Sequence, residues 1–228
     1  MKSLLGYLLL ELGLVVAGIL IAFKINVSNE NAKLRKTETA LLAGIRSDLL
    51  TDTLDLSANI SGMRNAIRSD SILLYKLLNP PSNHDSDIAI LLHYSINSSW
   101  RLTLRTAHFL EARTKGLSII ENQKLRAKVL HMYEFTLPNA EHYINESAFY
   151  DFHTIINQGA KEYLAYGQAG YFFSENNYSL VLNDRHLTYC LKRSQNMKVS
   201  LLQDVYQPTL QEIKALALDI ENYLEKRD

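Results

Sequence analysis

Seven histidines, one cysteine and a few clusters of acids and arginines are the residues whose types could do chemistry in this chain. His84, His93, His108, His131, His142, His153 and His186 include no H-E-x-x-H pair, and Cys190 has no second cysteine, so the familiar zinc patterns are missing. The stretch "HDSD" (84–87) offers three oxygen or nitrogen ligands in four residues, but beside Pro80 and Pro81 it reads as a solvated turn. Glu134, Glu141 and His142 flank Pro138 and read as a polar bundle surface. Walker A, Gly-x-Ser-x-Gly and Gly-x-Gly-x-x-Gly are absent, and "GQAG" (167–170) is too short to cradle phosphate. Arg101, Arg105 and Arg113, next to Trp100, fall on one stripe if their segment is helical. Guanidinium groups so placed could hold an anion, with Arg101 and Arg105 as the contacts. The ordinary alternative is a solvated face paired with acids such as Glu111. Nothing here composes an acid/base pair with a nucleophile, so the chain is expected to be no enzyme and to carry no cofactor and no metal.

The remaining chemical residue is Glu11, inside "YLLLELGLVVAGILIAFKIN" (7–26). Its setting is an apolar run, Leu4 to Phe23, of about 20 residues, or about 30 Å as a helix, which matches a bilayer's hydrocarbon thickness. The positively charged segment before the run is only Met1 and Lys2, and no A-x-A site precedes Lys24, so an uncleaved anchor is expected rather than a signal peptide. A buried helix of a soluble protein is the alternative. At about 100° per residue, Leu4, Tyr7, Glu11, Gly18 and Ala22 share one direction, with Gly6, Gly13 and Ala17 roughly opposite. Gly18-x-x-x-Ala22 is a small-xxx-small pair that lets helix backbones approach. An ionisable group in a membrane helix usually faces protein. Glu11, Gly18 and Ala22, with Gly13 and Ala17 behind, are therefore expected to pack against other membrane helices, of the same or another chain. The alternative is a Glu11 that snorkels to the interface or is simply protonated.

Beyond the anchor, Leu42, Leu49, Leu56 and Met63 repeat every seven residues, and Ile60, Ile67 and Leu74 form an adjoining row. Asp48, Asp52 and Asn59 interrupt this seam. The pattern predicts one long amphipathic helix over about 28–79, bent near Gly62 and belonging to a bundle rather than a two-stranded coil. "NPPSNHDSD" (79–87) breaks it. A second helix is predicted over about 86–115, stopping at Gly116, and a third over about 120–136, with Ser118 (in "SIIE") or Asn122 as its cap and Pro138 ending or kinking it. A fourth follows over about 139–158. Residues 160–183 read as a loop with short helical pieces. Asp184 is placed to cap a last helix over about 185–226, bent by Pro208. Lys+Arg equals Asp+Glu at 24 each, which makes no electrostatic case for nucleic acid.

Two blocks resemble a family of bacterial single-pass membrane proteins of unknown function, domain-of-unknown-function family six thousand and ninety. In the anchor, Glu11, Val15, Val16, Gly18, Ile19, Leu20, Ile21, Ala22, Ile25 and Asn26 carry the likeness. In "RTAHFLEARTKGLSIIENQKLRAKVLHMYEF" it is carried by Thr106, Ala107, Gly116, Leu117, Ser118, Ile120, Asn122, Leu125 and Arg126. The family's longer basic N-terminal arm is reduced here to Lys2, and its Asn-Asn-Trp-Asn-Glu step is "NVSNEN". The resemblance implies a cytoplasmic N-terminus and a periplasmic helical domain at the inner membrane of a Gram-negative cell. Lys24, Lys33, Arg35 and Lys36 after the span favour the opposite orientation by charge.

These readings add up to an all-α chain. An N-terminal transmembrane helix (1–26) continues into a long amphipathic helix packed in an irregular four- to five-helix bundle (27–228, least regular at 160–183). The function expected is a membrane-anchored, non-catalytic interaction or scaffold protein whose partners are the lipid bilayer and other membrane helices. The competing reading is an extracytoplasmic bundle that senses a small ligand held between helices, with Arg101 and Arg105 among its contacts.

Overall fold

The structure, a computed structural model, describes residues 2–97, 99–147, 150–160, 163–167, 170–173 and 177–227, and of residues 2–10, 164–167 and 170–173 the backbone only. It is an all-α bundle built on one long N-terminal helix. Helix α1 runs unbroken from Lys2 to Leu78, 77 residues, so the expected boundary at 26/27 falls inside it and Gly62 does not interrupt it. From Leu41 onward one face of α1 is buried, first through Leu42, Ile45, Leu49, Leu56 and Met63, then through Leu73 and Leu77. The seven-residue repeat thus marks the core face, as in any helix packed lengthwise.

The second predicted helix is not one helix. Helix α2 spans Asp87–Asn97 and α3 spans Ala107–Lys115, and residues 99–106 between them have no helical structure. Arg101 and Arg105 therefore lie in this open segment and Arg113 in α3, so the three arginines form no helical stripe. Gly116, at φ 92, closes α3 in a conformation that only glycine adopts cheaply. A short 3₁₀ turn, Leu117–Ile119, follows. Of the two competing caps the chain uses Asn122, which accepts from the Lys124 and Leu125 amides at 3.0 and 3.1 Å.

Helix α4 (Gln123–His131) passes through a π turn (Met132–Thr136) into α5 (Leu137–Asn145). Pro138 therefore does not end a helix. The Leu137 amide reaches back five residues to the Met132 carbonyl, and the widened turn leaves room for the proline ring, which would otherwise strike the carbonyl four residues back. The same device serves Pro208. Helix α8 (Arg185–Leu201) passes through a π turn (Leu202–Tyr206) into α9 (Gln207–Glu225), with the Gln207 amide on the Leu202 carbonyl. Asp184 caps α8 as expected, accepting from the His186 and Leu187 amides. The true interruption lies after Asn145, before α6 (Phe152–Ala160). Where a loop was expected, β1 (Leu164–Gly167) pairs antiparallel with β2 (Gly170–Phe173), Gly167 opposite Gly170, and α7 (Asn177–Asn183) follows. Gln168, Ala169 and residues 174–176 of "SENNYS" lie outside the described residues.

Two apolar clusters stack along α1. The larger joins α1 residues 41–63 to α3, to the α4–α5 rod and to the α8–α9 rod. The smaller joins Leu73, Leu74 and Leu77 to α2, α6, α7 and the start of α8. Between them sits a buried ion pair, Asp70 with Lys198 at 2.7 Å, both side chains fully buried.

Candidate functional site

Asp48, Asp52, Asp55 and Asn59 fall at i, i+4, i+7 and i+11, one polar stripe on α1. They hold the open segment 99–106, a strap across the helix. The Asn59 amide donates to the Arg101 carbonyl at 2.9 Å. The Arg105 amide donates to Asp52 at 3.3 Å, and its guanidinium donates to Asp52 and Asp55 at 2.9 and 2.7 Å. Asp48 accepts from the His108 ring Nδ1 at 2.8 Å. From the other side, Asn145 bridges Leu102, accepting from its amide at 3.1 Å and donating to its carbonyl at 3.0 Å. The Tyr206 hydroxyl donates to the Trp100 carbonyl at 2.8 Å. A strand needs a neighbour to satisfy its backbone; this strap is satisfied by side chains instead. Two glycines of α1 make room for it. A Cβ on Gly62 would overlap the Trp100 ring, and one on Gly44 the His108 ring. Asp52 has no exposed surface, and burial pushes its carboxyl above the usual range against the pull of Arg105.

The strap is also one wall of a cavity of about 310 Å³. Ser99, Trp100 and Arg101 line it together with the end of α5, Ile144–Ser147, and the start of α6, Tyr150–His153. Arg105 is taken up by its two aspartates. Arg101 differs: its guanidinium is exposed and, among the described residues, has no hydrogen-bond or ion-pair partner. Asp151 accepts from the Thr154 amide and hydroxyl at 3.0 and 2.6 Å, which holds its carboxyl below the usual range. His153 Nδ1 donates to the Ile96 carbonyl at 3.1 Å. Phe152 also lines the cavity, and the Lys198 ammonium lies 5.2 Å from its ring centroid.

At the other end of the chain, every side chain from Glu11 to Lys36 is exposed. Leu12, Leu14, Val15, Val16, Ile19, Leu20, Ile21 and Phe23 are 48–66% exposed. Among the described residues, nothing beyond the helix's own adjacent backbone lies within 4 Å of where a Cβ would stand on Gly13 or Gly18. This part of α1 is long and apolar enough to cross a membrane. Because α1 is one helix, its faces can be followed along it at about 100° per residue. The direction of Glu11, Gly18 and Ala22 continues through Ala40, Ala43, Ser47 and Leu54, all exposed on the bundle. The direction of Gly13 and Ala17 continues into the core row Leu42, Leu49 and Leu56. The side chains of Leu4, Gly6 and Tyr7 lie outside the described residues.

No family model matches the chain, and no curated protein or solved structure matches it.

The other chemical candidates are absorbed locally. Asp85 and Asp87 of "HDSD" hold Lys76 at 2.6 and 3.3 Å, and the His84 ring lies against Tyr178. Arg113 faces Glu134 at 3.8 Å, whereas Glu111 pairs with Lys115. His142 pairs with Glu146 at 3.3 Å on the surface. Cys190 is buried, and burial pushes its thiol up, away from reactivity. Among the described residues no group of three or more His, Cys, Asp or Glu is placed to hold a metal ion. Sequence reading missed the part played by Asn59, Asn145 and Tyr206, three of the residues that pin the strap. A signal existed for one of them: Asn59 continues the polar stripe that breaks the heptad seam.

Proposed function

We propose that this chain is a membrane-anchored helical interaction or scaffold protein, without catalysis. Its first helix crosses a bilayer once and packs against partner helices through the face of Glu11, Gly18 and Ala22. The observation that carries the reading is the lone stretch of α1, residues 11–36, which finds no cover in its own chain while the same helix becomes the spine of the bundle. Moving the eight large apolar side chains between Leu12 and Phe23 from water to lipid is worth roughly 12–24 kcal/mol at about 1.5–3 kcal/mol each. Inserting one carboxylate costs on the order of 3 kcal/mol. The apolar term wins, so lipid suits the segment better than water even with Glu11 unpaired. The carboxylate gains further by meeting a polar group of a partner helix.

Residues 24–36 would then form a helical stalk about 20 Å long. The resemblance in the anchor supports the bacterial inner membrane with the bundle in the periplasm; the basic residues of the stalk favour the reverse. Reporter fusions after residue 30 and at the C-terminus decide between the two sides. Anchoring is tested by extraction: the full chain should stay with membranes in alkaline carbonate and leave them only in detergent. Recovery in the supernatant without detergent overturns the proposal. The packing face is tested with Gly18→Cys and Ala22→Cys in a Cys190→Ala background. Cross-linked species should appear at these positions and weaken with Glu11→Leu. Uncross-linked chains at both positions, or indifference to Glu11→Leu, overturn it. The competing ligand-sensing reading is favoured by one observation, the cavity beside Arg101.

A further inference from the structure

We propose that the cavity between the strap, α5 and α6 binds a free α-amino acid, with Arg101 taking its carboxylate and Glu146 its ammonium.

The first argument is how Arg101 is presented. Three consecutive residues of the strap are fixed through their main chain by side chains of three different elements. Tyr206 of the second π turn holds Trp100, Asn59 of α1 holds Arg101, and Asn145 of α5 holds both sides of Leu102. The backbone of Arg101 is thus rigid, yet its side chain is the unpaired one. A fixed main chain carrying a free guanidinium at the rim of a cavity holds a bidentate donor within reach of a ligand carboxylate.

The second argument is charge. Glu146 and Asp151 stand on the same lining as Arg101. A simple anion would meet these two carboxylates, and a simple cation would meet Arg101. Only a molecule bearing both signs satisfies the lining. Asp151 already spends both oxygens on Thr154. Among the described residues, the Glu146 carboxylate has only the surface contact to His142, a kind of pair worth little, so it can turn to a ligand ammonium.

The third argument is size and the remaining wall. About 310 Å³ is at the lower limit of small-molecule pockets, suited to roughly ten non-hydrogen atoms rather than a cofactor or a lipid. Trp100, Ile144 and Phe152 supply an apolar surface for a side chain, and Ser99 supplies a hydroxyl.

The test uses the full chain in detergent, with thermal unfolding and titration calorimetry against each of the twenty amino acids singly. Propionate and propylamine serve as half-probes. At least one amino acid should raise the unfolding temperature saturably, while neither half-probe does so at the same concentration. Arg101→Gln and Glu146→Gln should each weaken that amino acid at least tenfold. Arg64→Gln, on the exposed face of α1, should leave it unchanged. Arg101→Gln removes no side-chain hydrogen bond or ion pair to a described residue, so its unliganded unfolding temperature should match the parent's. The proposal is overturned if no amino acid shifts the transition, if a half-probe shifts it as far, or if Arg101→Gln binds as the parent does. Detergent removes the bilayer from this experiment, so its failure leaves the anchoring proposal standing, and failure of the extraction test leaves this one standing.

Discussion

Asp70 and Lys198 form the sharpest energetic feature of the bundle, and separating them should reveal how dry the boundary between its two cores is. Asp70 also accepts from the Ser95 hydroxyl, and Lys198 lies over Phe152. At 2.7 Å and an effective dielectric of about 20, the attraction is roughly 6 kcal/mol. Removing two ions from water costs several kcal/mol each, so the intact pair is close to neutral in net terms. A single substitution keeps one desolvation cost and discards the attraction. Asp70→Asn or Lys198→Met should therefore destabilise the chain by about 3–5 kcal/mol. In Asp70→Leu/Lys198→Met both ions are gone, and the remaining penalty is the orphaned Ser95 hydroxyl, about 1–3 kcal/mol, which Ser95→Ala should recover. The pH dependence has a definite sign. Burial holds Lys198 below the usual lysine range despite Asp70. Between that depressed value and the ordinary lysine pKa of about 10.4 the unfolded chain binds more protons, so this lysine makes stability rise with pH through the window. Denaturant unfolding of the detergent-solubilised chain, followed by helix content, measures all four variants. Single variants costing under about 1 kcal/mol, or a double variant costing the sum of the singles, would refute the account of a dry, coupled pair.

Three further outcomes follow from the same geometry. Gly62→Ala and Gly44→Ala should each cost about 1–3 kcal/mol, because the rings of Trp100 and His108 occupy the space a Cβ needs; stability unchanged in both would mean the strap does not lie against α1. Burial raises the phenols of Tyr133 and Tyr206, and burial with the hydrogen bond to Glu38 pushes Tyr223 up to about 12. Their folded values exceed the unfolded value near 10, so their contribution is whole below about pH 10 and is lost above it. For Tyr133 and Tyr206 the loss is about 1.4 kcal/mol per pH unit each, read as a falling denaturant midpoint. Amide hydrogen exchange in detergent micelles should be faster across residues 25–36 than across 41–63, by orders of magnitude; equal protection would mean that another molecule covers the stalk.

Much of this architecture can be read from residues because helices report their buried face locally. The Leu42–Leu49–Leu56–Met63 repeat is the core face, and Asn122, Asp184 and Gly116 end helices where their chemistry says they should. The strap could not be read that way. Residues 87–115 carry helix-compatible spacing throughout, and what opens them at 99–106 is tertiary: hydrogen-bond partners on α1, α5 and the second π turn, tens of residues away in sequence. The aspartates and Asn59 that look like flaws in the seam of α1 are those partners. The prolines mislead for a different reason. A proline forbids the α-helical bond and crowds the preceding turn, but a single π turn satisfies both constraints and lets the rod continue past Pro138 and Pro208. At the candidate site, Arg101 and Arg105 look equivalent four residues apart. Only the fold separates them, giving Arg105 two aspartates and leaving Arg101 open.

The proposed stalk would explain why the apolar segment and the bundle share one helix. Residues 24–37 contain no glycine or proline, yet they include Asn26, Ser28, Asn29 and Asn31, indifferent helix formers. A segment of that length in water would be marginal as a helix alone, since nucleation is the unfavourable step. Here both ends are nucleated already. Glu38, nearly fully buried, accepts from the Glu121 amide at 2.9 Å and the Tyr223 hydroxyl at 2.8 Å and pairs with Arg227, which fixes the bundle end of the stalk. A bilayer, which tolerates no unsatisfied backbone, would fix the other. The helix between them then needs only propagation, and it transmits rotation as well as position. The face of Glu11, Gly18 and Ala22 keeps its direction as far as Leu54, so under the proposed anchoring a partner helix on that side would also set which side of the bundle, Ala43, Ser47 and Leu54, it meets. A flexible linker of the same length would lose that relation, and the small residues on the anchor would then say nothing about the bundle's orientation.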